Sequence, residues 1–160
     1  MKELYEKFGT GSLTRMQAVF ASIFILQNRI QTSYEKAQDD LTMKQWLLLA
    51  VVSSCPQPHT LTNVSQYMGC SRQNIKQLAM AMSKKGYVRL ILGAQNSVHI
   101  ELTEKAAGYE KKYSKKHENL LRSLFADFSE EEVSLFYQLY KKLYTGVERI
   151  EGQMGSAFPA

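Results

Sequence analysis

The chain has 160 residues, is 44% hydrophobic, and carries 20 basic and 15 acidic side chains for a formal net charge of +5. This length and hydrophobicity suit one buried core and disfavour intrinsic disorder or two independent domains. No apolar run reaches the roughly 20 residues of a membrane span and no signal-peptide core is present, so we expect a cytoplasmic protein with no membrane partner. Two cysteines fit a reducing compartment, and the basic charge favours a polyanionic partner.

The first third of the chain predicts two helices. Apolar residues recur at helical spacing from about Leu13 to Gln38, which indicates one long helix. Thr42 is a suitable N-cap for a second helix, which the prolines of the CPQPH segment end. We expect four residues of this second helix to face inward: Met43, Trp46, Leu47 and Ala50.

The middle of the chain predicts two short helices and a hairpin. Thr60 and Ser71 are N-cap residues, and Gly69 and Gly86 supply the turns that follow the two helices. The second of these helices has an apolar ridge at positions i, i+3, i+4 and i+7: Ile75, Leu78, Ala79 and Met82. From Val88 onward the hydrophobic period changes to two on both sides of a GAQN segment, which predicts a two-stranded hairpin.

Two long aromatic-rich helices are predicted after the hairpin, the first capped by Thr103 and the second opened by a capping box, SEEE, that begins at Ser129. Helix, turn, helix and hairpin define a winged helix-turn-helix over about residues 42–102, with long helices at about 10–38 and 103–151. We therefore predict a single, mainly α domain with a small β-hairpin wing. Because the long helices carry more apolar surface than one winged domain covers, we expect them to be dimerisation helices of a homodimer.

The segment from Met68 to Leu92, which contains no acidic residue, gives the strongest functional signal. Since the apolar ridge faces the core, the start of the second short helix presents a polar side outward. In a helix-turn-helix this side enters the major groove, where Arg pairs with guanine and Asn or Gln with adenine. Lys76, Lys84 and Lys85 are candidate phosphate contacts. We predict double-stranded DNA as a partner, with these contact residues: Thr60, Ser71, Arg72, Gln73, Asn74, Lys76, Gln77, Lys84, Arg89, Gln95 and Asn96.

The chain also resembles the MarR-type (multiple antibiotic resistance regulator) transcription factors. Four segments match in order and spacing: LTMKQWLLL at 41–49, TLTNVSQYMGCSRQNIKQL at 60–78, KKGYV at 84–88 and LTEKA at 102–106. Members of this family are typically dimeric regulators that occlude promoters, and many respond to small, often phenolic, ligands. The resemblance therefore implies a repressor that binds a pseudo-palindromic operator and is released by a small aromatic effector. Most aromatic residues here are expected to pack in the core, and Trp46 is the one we select as a ligand contact.

The wing departs from the family's pattern. The family usually has an acidic residue followed by arginines at this position, whereas the tip from Gly93 to Ser97 has no arginine. Attraction to the minor groove should be weaker as a result, so we expect base recognition to depend mainly on the helix that begins at Arg72. The same feature supports an alternative function, a winged-helix module that binds protein and not DNA.

Other chemistry has little support in the sequence. Cys55 and Cys70 are interpreted as loop and packing residues, because reactivity requires an exposed thiol with a lowered pKa. The three histidines have no partners at metal-ligand spacing. Phosphate-binding loops, nucleophile elbows and paired-carboxylate motifs are also missing from the sequence. We predict no enzymatic activity, no metal site and no cofactor.

Overall fold

A computed structural model of the chain describes residues 12–37 and 40–157. In these ranges it contains six α-helices and two strands: α1 (Ser12–Ala37), α2 (Met43–Ser54), α3 (Leu61–Tyr67), α4 (Arg72–Lys84), β1 (Val88–Leu92), β2 (Val98–Leu102), α5 (Glu104–Leu124) and α6 (Glu130–Ala157). A mainly helical chain with a hairpin wing confirms the predicted fold class. The predicted helix limits at residues 10 and 38 lie outside the described residues, and α6 continues six residues beyond the predicted end at 151.

The described residues divide into two compact units, and the division lies within α5 between Tyr109 and Glu110. The first unit contains α1 to β2 and the start of α5, and the second contains the rest of α5 together with α6. The organisation of the whole chain as a single domain stays a prediction.

Reciprocal capping boxes start two of the helices. At α6, the Ser129 hydroxyl accepts from the Glu132 amide at 3.2 Å, and the Glu132 carboxylate accepts from the Ser129 amide at 2.8 Å, as predicted. At α2, Thr42 and Gln45 exchange two equivalent bonds at 3.3 Å. The sequence predicted the Thr42 cap but not the return bond from Gln45. Both helices therefore begin where short-range side-chain hydrogen bonds satisfy their first amides.

Two glycines shape the helix-turn-helix. Gly69 has φ +60° after α3 and Gly86 has φ +79° after α4, in the left-handed region that favours glycine. The Gly86 amide donates to the Ser83 carbonyl at 2.9 Å. The next amide, that of Tyr87, donates to the Met82 carbonyl at 3.0 Å. This pair of bonds is a Schellman motif, which ends α4 and turns the chain into β1.

The core of the winged helix-turn-helix lies where α2, α3, α4 and the hairpin meet. All four elements contribute to its fully buried side chains: Leu48, Val64, Ile75, Met82, Val88 and Ile100. Burying a side chain of this size stabilises the fold by about 1.5–3 kcal/mol. The apolar ridge predicted for α4 is confirmed at Ile75, Ala79 and Met82, each 0% exposed.

The inward face predicted for α2 is wrong at Leu47, and the other three predicted residues, Met43, Trp46 and Ala50, are half-buried. Leu47 is 38% exposed, and the buried residues of this helix are Leu48, Leu49 and Val52. The helix is apolar on nearly every side, as the run WLLLAVV shows. Its periodicity therefore could not indicate which side meets the core, because a face is readable only when polar residues mark the opposite side.

The wing is a regular antiparallel hairpin in which Val88 pairs with Leu102 and Leu92 with Val98. The segment before α3 adds to it, since Thr60 forms an isolated bridge with His99. The Ile100 amide also donates to the carbonyl of His59 at 2.9 Å. This third segment, which the sequence analysis did not predict, attaches the wing to the start of α3.

Large apolar side chains remain exposed on the long helices. The N-terminal half of α1 exposes five of them by more than half of their area: Leu13, Met16, Val19, Phe20 and Phe24. In the second unit, α6 exposes Leu135, Tyr137, Leu139, Tyr144, Val147 and Ile150 to the same extent. Patches of this kind usually mark surfaces that another molecule covers. Across residues 12–37 and 40–157, the helices are too short or too polar to cross a lipid bilayer.

Candidate nucleic-acid interface

The helix that the sequence predicts to contact DNA is α4, whose two sides differ sharply. One side is the buried ridge, and the other exposes the predicted base- and phosphate-contacting residues Arg72, Gln73, Asn74, Lys76 and Gln77. The Ser71 hydroxyl accepts from the Asn74 amide at 3.2 Å and so caps the helix start. The structure thus aims a positively charged, amide-rich helix start outward, while the ridge holds it against the core.

The charge around this helix is one-sided over a segment longer than Met68 to Leu92. Between Asp40 and Glu101 the chain carries six cationic side chains and no carboxylate. All of this segment belongs to the first unit and forms α2, α3, α4 and the wing. A region of one sign attracts polyanions and accelerates their association.

Thr60 and Ser71, both predicted as DNA contacts, have structural bonds of their own. The Thr60 hydroxyl accepts from the Asn63 amide at 3.1 Å and caps α3. Its backbone also bridges to His99, as described above. Ser71 caps α4. Their DNA contacts stay a prediction, and both residues position the helices of the motif whether or not they contact DNA.

The two neighbouring lysines at the end of α4 differ in their surroundings. Lys84 is exposed in the last turn of the helix, as expected of a phosphate contact. The Lys85 ammonium instead donates to the main-chain carbonyl of Asp40 at 3.0 Å and to Gln45 Oε1 at 2.9 Å. These long-range contacts could not be read from the sequence, which treated both lysines as phosphate contacts.

The wing places Arg89 opposite an acidic residue. The Arg89 guanidinium lies 3.8 Å from the Glu101 carboxylate, with side-chain exposures of 68% and 52%. The sequence predicted Arg89 as a DNA contact without this partner. Since an exposed pair of this kind is worth at most about 1 kcal/mol, a phosphate can compete with Glu101 for the guanidinium.

The wing tip is a compact turn held by its own hydrogen bonds. The Gly93 amide donates to the Ser97 carbonyl at 2.8 Å, and Ser97 Oγ lies 2.9 Å from His99 Nε2. Gln95 and Asn96 are exposed, with φ values of 55° and 58°. The two predicted amide contacts of the wing therefore lie side by side at its tip.

A groove of about 940 Å³ lies between α1, α2 and α4. Apolar side chains such as Met43, Leu47 and Leu78 line it, and Lys44 adds a positive charge. Asn74 and Gln77 line it as well, so two of the predicted DNA contacts border this groove. Leu47, which we expected in the core, is one of its walls.

Trp46 is not among the residues that line this groove. Its ring packs on Tyr34 with the centroids 5.7 Å apart. The Tyr34 hydroxyl lies 3.3 Å from that of Tyr109 in a buried pair, and burial raises the pKa of Tyr34 far above its ordinary value. Trp46 therefore adjoins a packed aromatic cluster, and its predicted role in ligand binding stays a prediction.

Comparison with known proteins gives different results for the sequence and for the fold. The sequence matches no family model and no curated protein. Its fold does match solved structures, among them a MarR/EmrR family transcriptional regulator from Acinetobacter sp. ADP1, with a TM-score of 0.74 and 20% identity over 83% of this chain and 96% of that one. The chain has the MarR fold. This result confirms, at the level of the fold, the resemblance seen in the sequence.

Two further solved structures share this fold. The first is S. aureus MepR in complex with DNA, with a TM-score of 0.70 and 15% identity over 80% of this chain and 97% of that one. The second is the organohalide-sensing transcriptional regulator RdhR in its 2,4-dichlorophenol-bound form, with a TM-score of 0.72 and 14% identity over 86% of each chain.

The cysteines and histidines of the described residues form local contacts. Cys55 and Cys70 are both free thiols and half-buried. His59 Nε2 contacts the Cys55 carbonyl at 2.9 Å, and His99 contacts Ser97 in the wing. Within the described ranges, no three metal-ligating side chains come together. The histidines seen here support local structure.

Proposed function

We propose that this chain is a sequence-specific, double-stranded DNA-binding transcriptional regulator. The observation that carries the proposal is α4, whose buried ridge turns Arg72, Gln73 and Gln77 outward within a segment that lacks carboxylates. Such a helix start can read base edges in the major groove, because Arg and Gln form paired hydrogen bonds with guanine and adenine. The solved DNA complex of MepR, which shares the fold, supports this proposal.

We further propose that the chain acts as a homodimer. The exposed apolar faces of α1 and α6 support this, since a second copy of the same chain would bury both. A two-fold dimer presents two recognition helices, which fit successive major grooves roughly 34 Å apart on a pseudo-palindromic operator. Binding over a promoter would repress transcription by excluding the polymerase.

A small aromatic effector would release the repressor. The 2,4-dichlorophenol-bound RdhR supports this kind of ligand for the fold. The groove between α1, α2 and α4 is within the size range of ligand pockets and is bordered by Asn74 and Gln77. A ligand there would act directly on α4, whereas the Trp46 site predicted from the sequence would act through the packing of Tyr34.

The decisive experiment is selection of bound duplexes from a random DNA pool by the full chain. We expect a two-fold symmetric consensus, because two copies of α4 should read the same half-site. Binding of that consensus should weaken steeply with salt, with a log–log slope of about −0.9 for each neutralised phosphate.

The alternative is a protein-binding winged-helix module. The wing favours it, because the tip has no arginine and Leu92 beside it is 80% exposed. This alternative predicts no enriched sequence and an affinity for duplex that does not exceed that of an unrelated basic protein. Either result would overturn the DNA-binding proposal.

A further inference from the structure

The end of the recognition helix is tied to the junction between α1 and α2. Lys85 Nζ donates to the Asp40 carbonyl at 3.0 Å and to Gln45 Oε1 at 2.9 Å. Asp40 precedes α2, and Gln45 lies in its first turn. One side chain thus joins segments that are 45 and 40 residues apart in the chain.

Gln45 Oε1, which accepts from Lys85, also accepts a second hydrogen bond. Gln45 Oε1 also accepts from the Thr42 amide, and this bond belongs to the capping box that starts α2. The position of Gln45 is therefore set by the helix start and not by Lys85 alone. Because Gln45 is held in this way, it offers Lys85 a fixed anchor, which a freely rotating surface side chain would not provide.

The start of α5 holds the same end of α4. Lys105 Nζ donates to the Lys85 carbonyl at 2.7 Å and lies 4.6 Å from the centroid of the Tyr87 ring. The Thr103 hydroxyl donates to the Gly86 carbonyl at 2.7 Å. These donors satisfy carbonyls at and just beyond the end of α4, and the Lys105 charge suits the negative end of the helix dipole.

We propose that Lys85 is a positioning residue, which holds α4 at a fixed orientation to α2 so that the helix start can read bases. The inference rests on the proposed DNA binding and changes the role that the sequence suggested for this lysine. An ammonium group has three N–H donors, and the two acceptors engage two of them. Removal of the Lys85 side chain loosens the C-terminal end of α4. A change in the orientation of the helix then displaces the base-contacting side chains of its first turn.

The DNA test compares Lys85→Met and Lys85→Arg with the matched neighbour Lys84→Met, on the selected operator and on a scrambled duplex over a salt series. We expect Lys85→Met to weaken operator binding about three- to tenfold, the effect of losing two charge-assisted bonds at an exposed site. Affinity for the scrambled duplex and the salt slope should stay unchanged. Lys85→Arg should restore binding, because a guanidinium can donate to both acceptors. Lys84→Met should weaken both duplexes and reduce the slope by about 0.9.

Amide hydrogen exchange tests the contacts of Lys85 with Asp40 and Gln45 in the absence of DNA. We expect Lys85→Met to accelerate exchange at Trp46, in the first turn of α2, and at Tyr87, after α4, with wild-type rates in Lys85→Arg. Unchanged exchange, or a salt slope that falls as in Lys84→Met, would overturn the positioning role. If the wild-type chain binds no duplex, the proposed DNA-binding function is wrong. The exchange rates, which are measured without DNA, then still decide whether Lys85 holds α4.

Discussion

Arg72 and Arg89 have the same charge but different surroundings. Arg72 is exposed in the first turn of α4, whereas Arg89 lies beside Glu101 across the wing. Both arginines were predicted as DNA contacts, and they differ in what a phosphate or base must displace. Their substitutions should accordingly have different effects on binding and on specificity.

Arg72→Ala should flatten base preference. Loss of a bidentate contact to guanine costs about 1–3 kcal/mol of discrimination, so competition between the operator and a single-base variant at the contacted position should show a drop of that size. Lys142→Ala in α6 also removes one positive charge, from a helix that is not proposed to contact DNA, and serves as the control. Full discrimination by Arg72→Ala at fixed salt would show that α4 does not read the operator through this residue.

Glu101→Gln should strengthen DNA binding. The substitution removes the carboxylate 3.8 Å from Arg89 and leaves the guanidinium to phosphate. We expect a gain of about two- to fivefold in affinity, in keeping with the modest strength of an exposed ion pair, measured by titration at low salt. Glu104→Gln removes a carboxylate three residues later that forms no ion pair with Arg89, and it should produce a smaller gain. Equal gains would indicate general charge repulsion and not release of Arg89.

At the scale of elements, the helix-turn-helix depends on how its helices begin and end. Ser71 starts α4 through a side-chain hydrogen bond, and Gly86 ends it with φ +79°. The contacts of Lys85, Thr103 and Lys105 then join this end to α2 and α5. These contacts add to the buried ridge and hold the C-terminal end of α4, whereas its first turn is the part proposed to read bases.

Two glycine substitutions of equal size should have opposite effects on stability. Gly86→Ala places a side chain at φ +79°, which costs about 1–2 kcal/mol for an L-residue. Gly108→Ala lies within α5 with no atom close to the new Cβ, and it should stabilise the helix by up to about 1 kcal/mol. Denaturant unfolding of both variants measures the two effects. A neutral Gly86→Ala would contradict the Schellman end of α4.

At the scale of the whole molecule, exposed apolar surface is the main support for the proposed homodimer. The exposed side chains of α1 and α6 are large, and several are aromatic. Apolar surfaces of this kind are typical of the subunit interfaces of obligate homodimers. The proposed dimer also explains how a short recognition helix obtains affinity, because two half-sites are bound together.

Leu143→Glu should separate the dimer. Leu143 is 44% exposed in α6, and a carboxylate there would have to be buried unpaired at the interface, at a cost of several kcal/mol. Sedimentation at micromolar concentration should show a monomer, and operator affinity should fall by at least 100-fold. Lys142→Glu, on the next residue, is the matched control and should stay dimeric. A Leu143→Glu chain that remains dimeric would place the interface elsewhere.

Local features of this protein could be predicted, and long-range ones could not. Thr42, Thr60, Ser71 and Ser129 were recognisable as caps, because a cap acts within three residues of itself. The ridge of α4 was readable because polar residues mark its other side. By contrast, α2 is apolar nearly all round, so only packing could decide that Leu48 is buried and Leu47 is exposed.

By itself, therefore, the sequence determined the order of elements, the helix starts at Thr42, Thr60, Ser71 and Ser129, and the polar side of α4. The Thr103 hydroxyl, predicted to cap α5, donates to the Gly86 carbonyl. Only the tertiary structure decided that Lys85 binds Asp40 and Gln45, that Arg89 faces Glu101, and that Thr60 joins the wing. The physical reason is separation along the chain. Hydrogen bonds within one helical turn follow from neighbouring residues, whereas a contact across 40 residues exists only after the core has brought the two segments together.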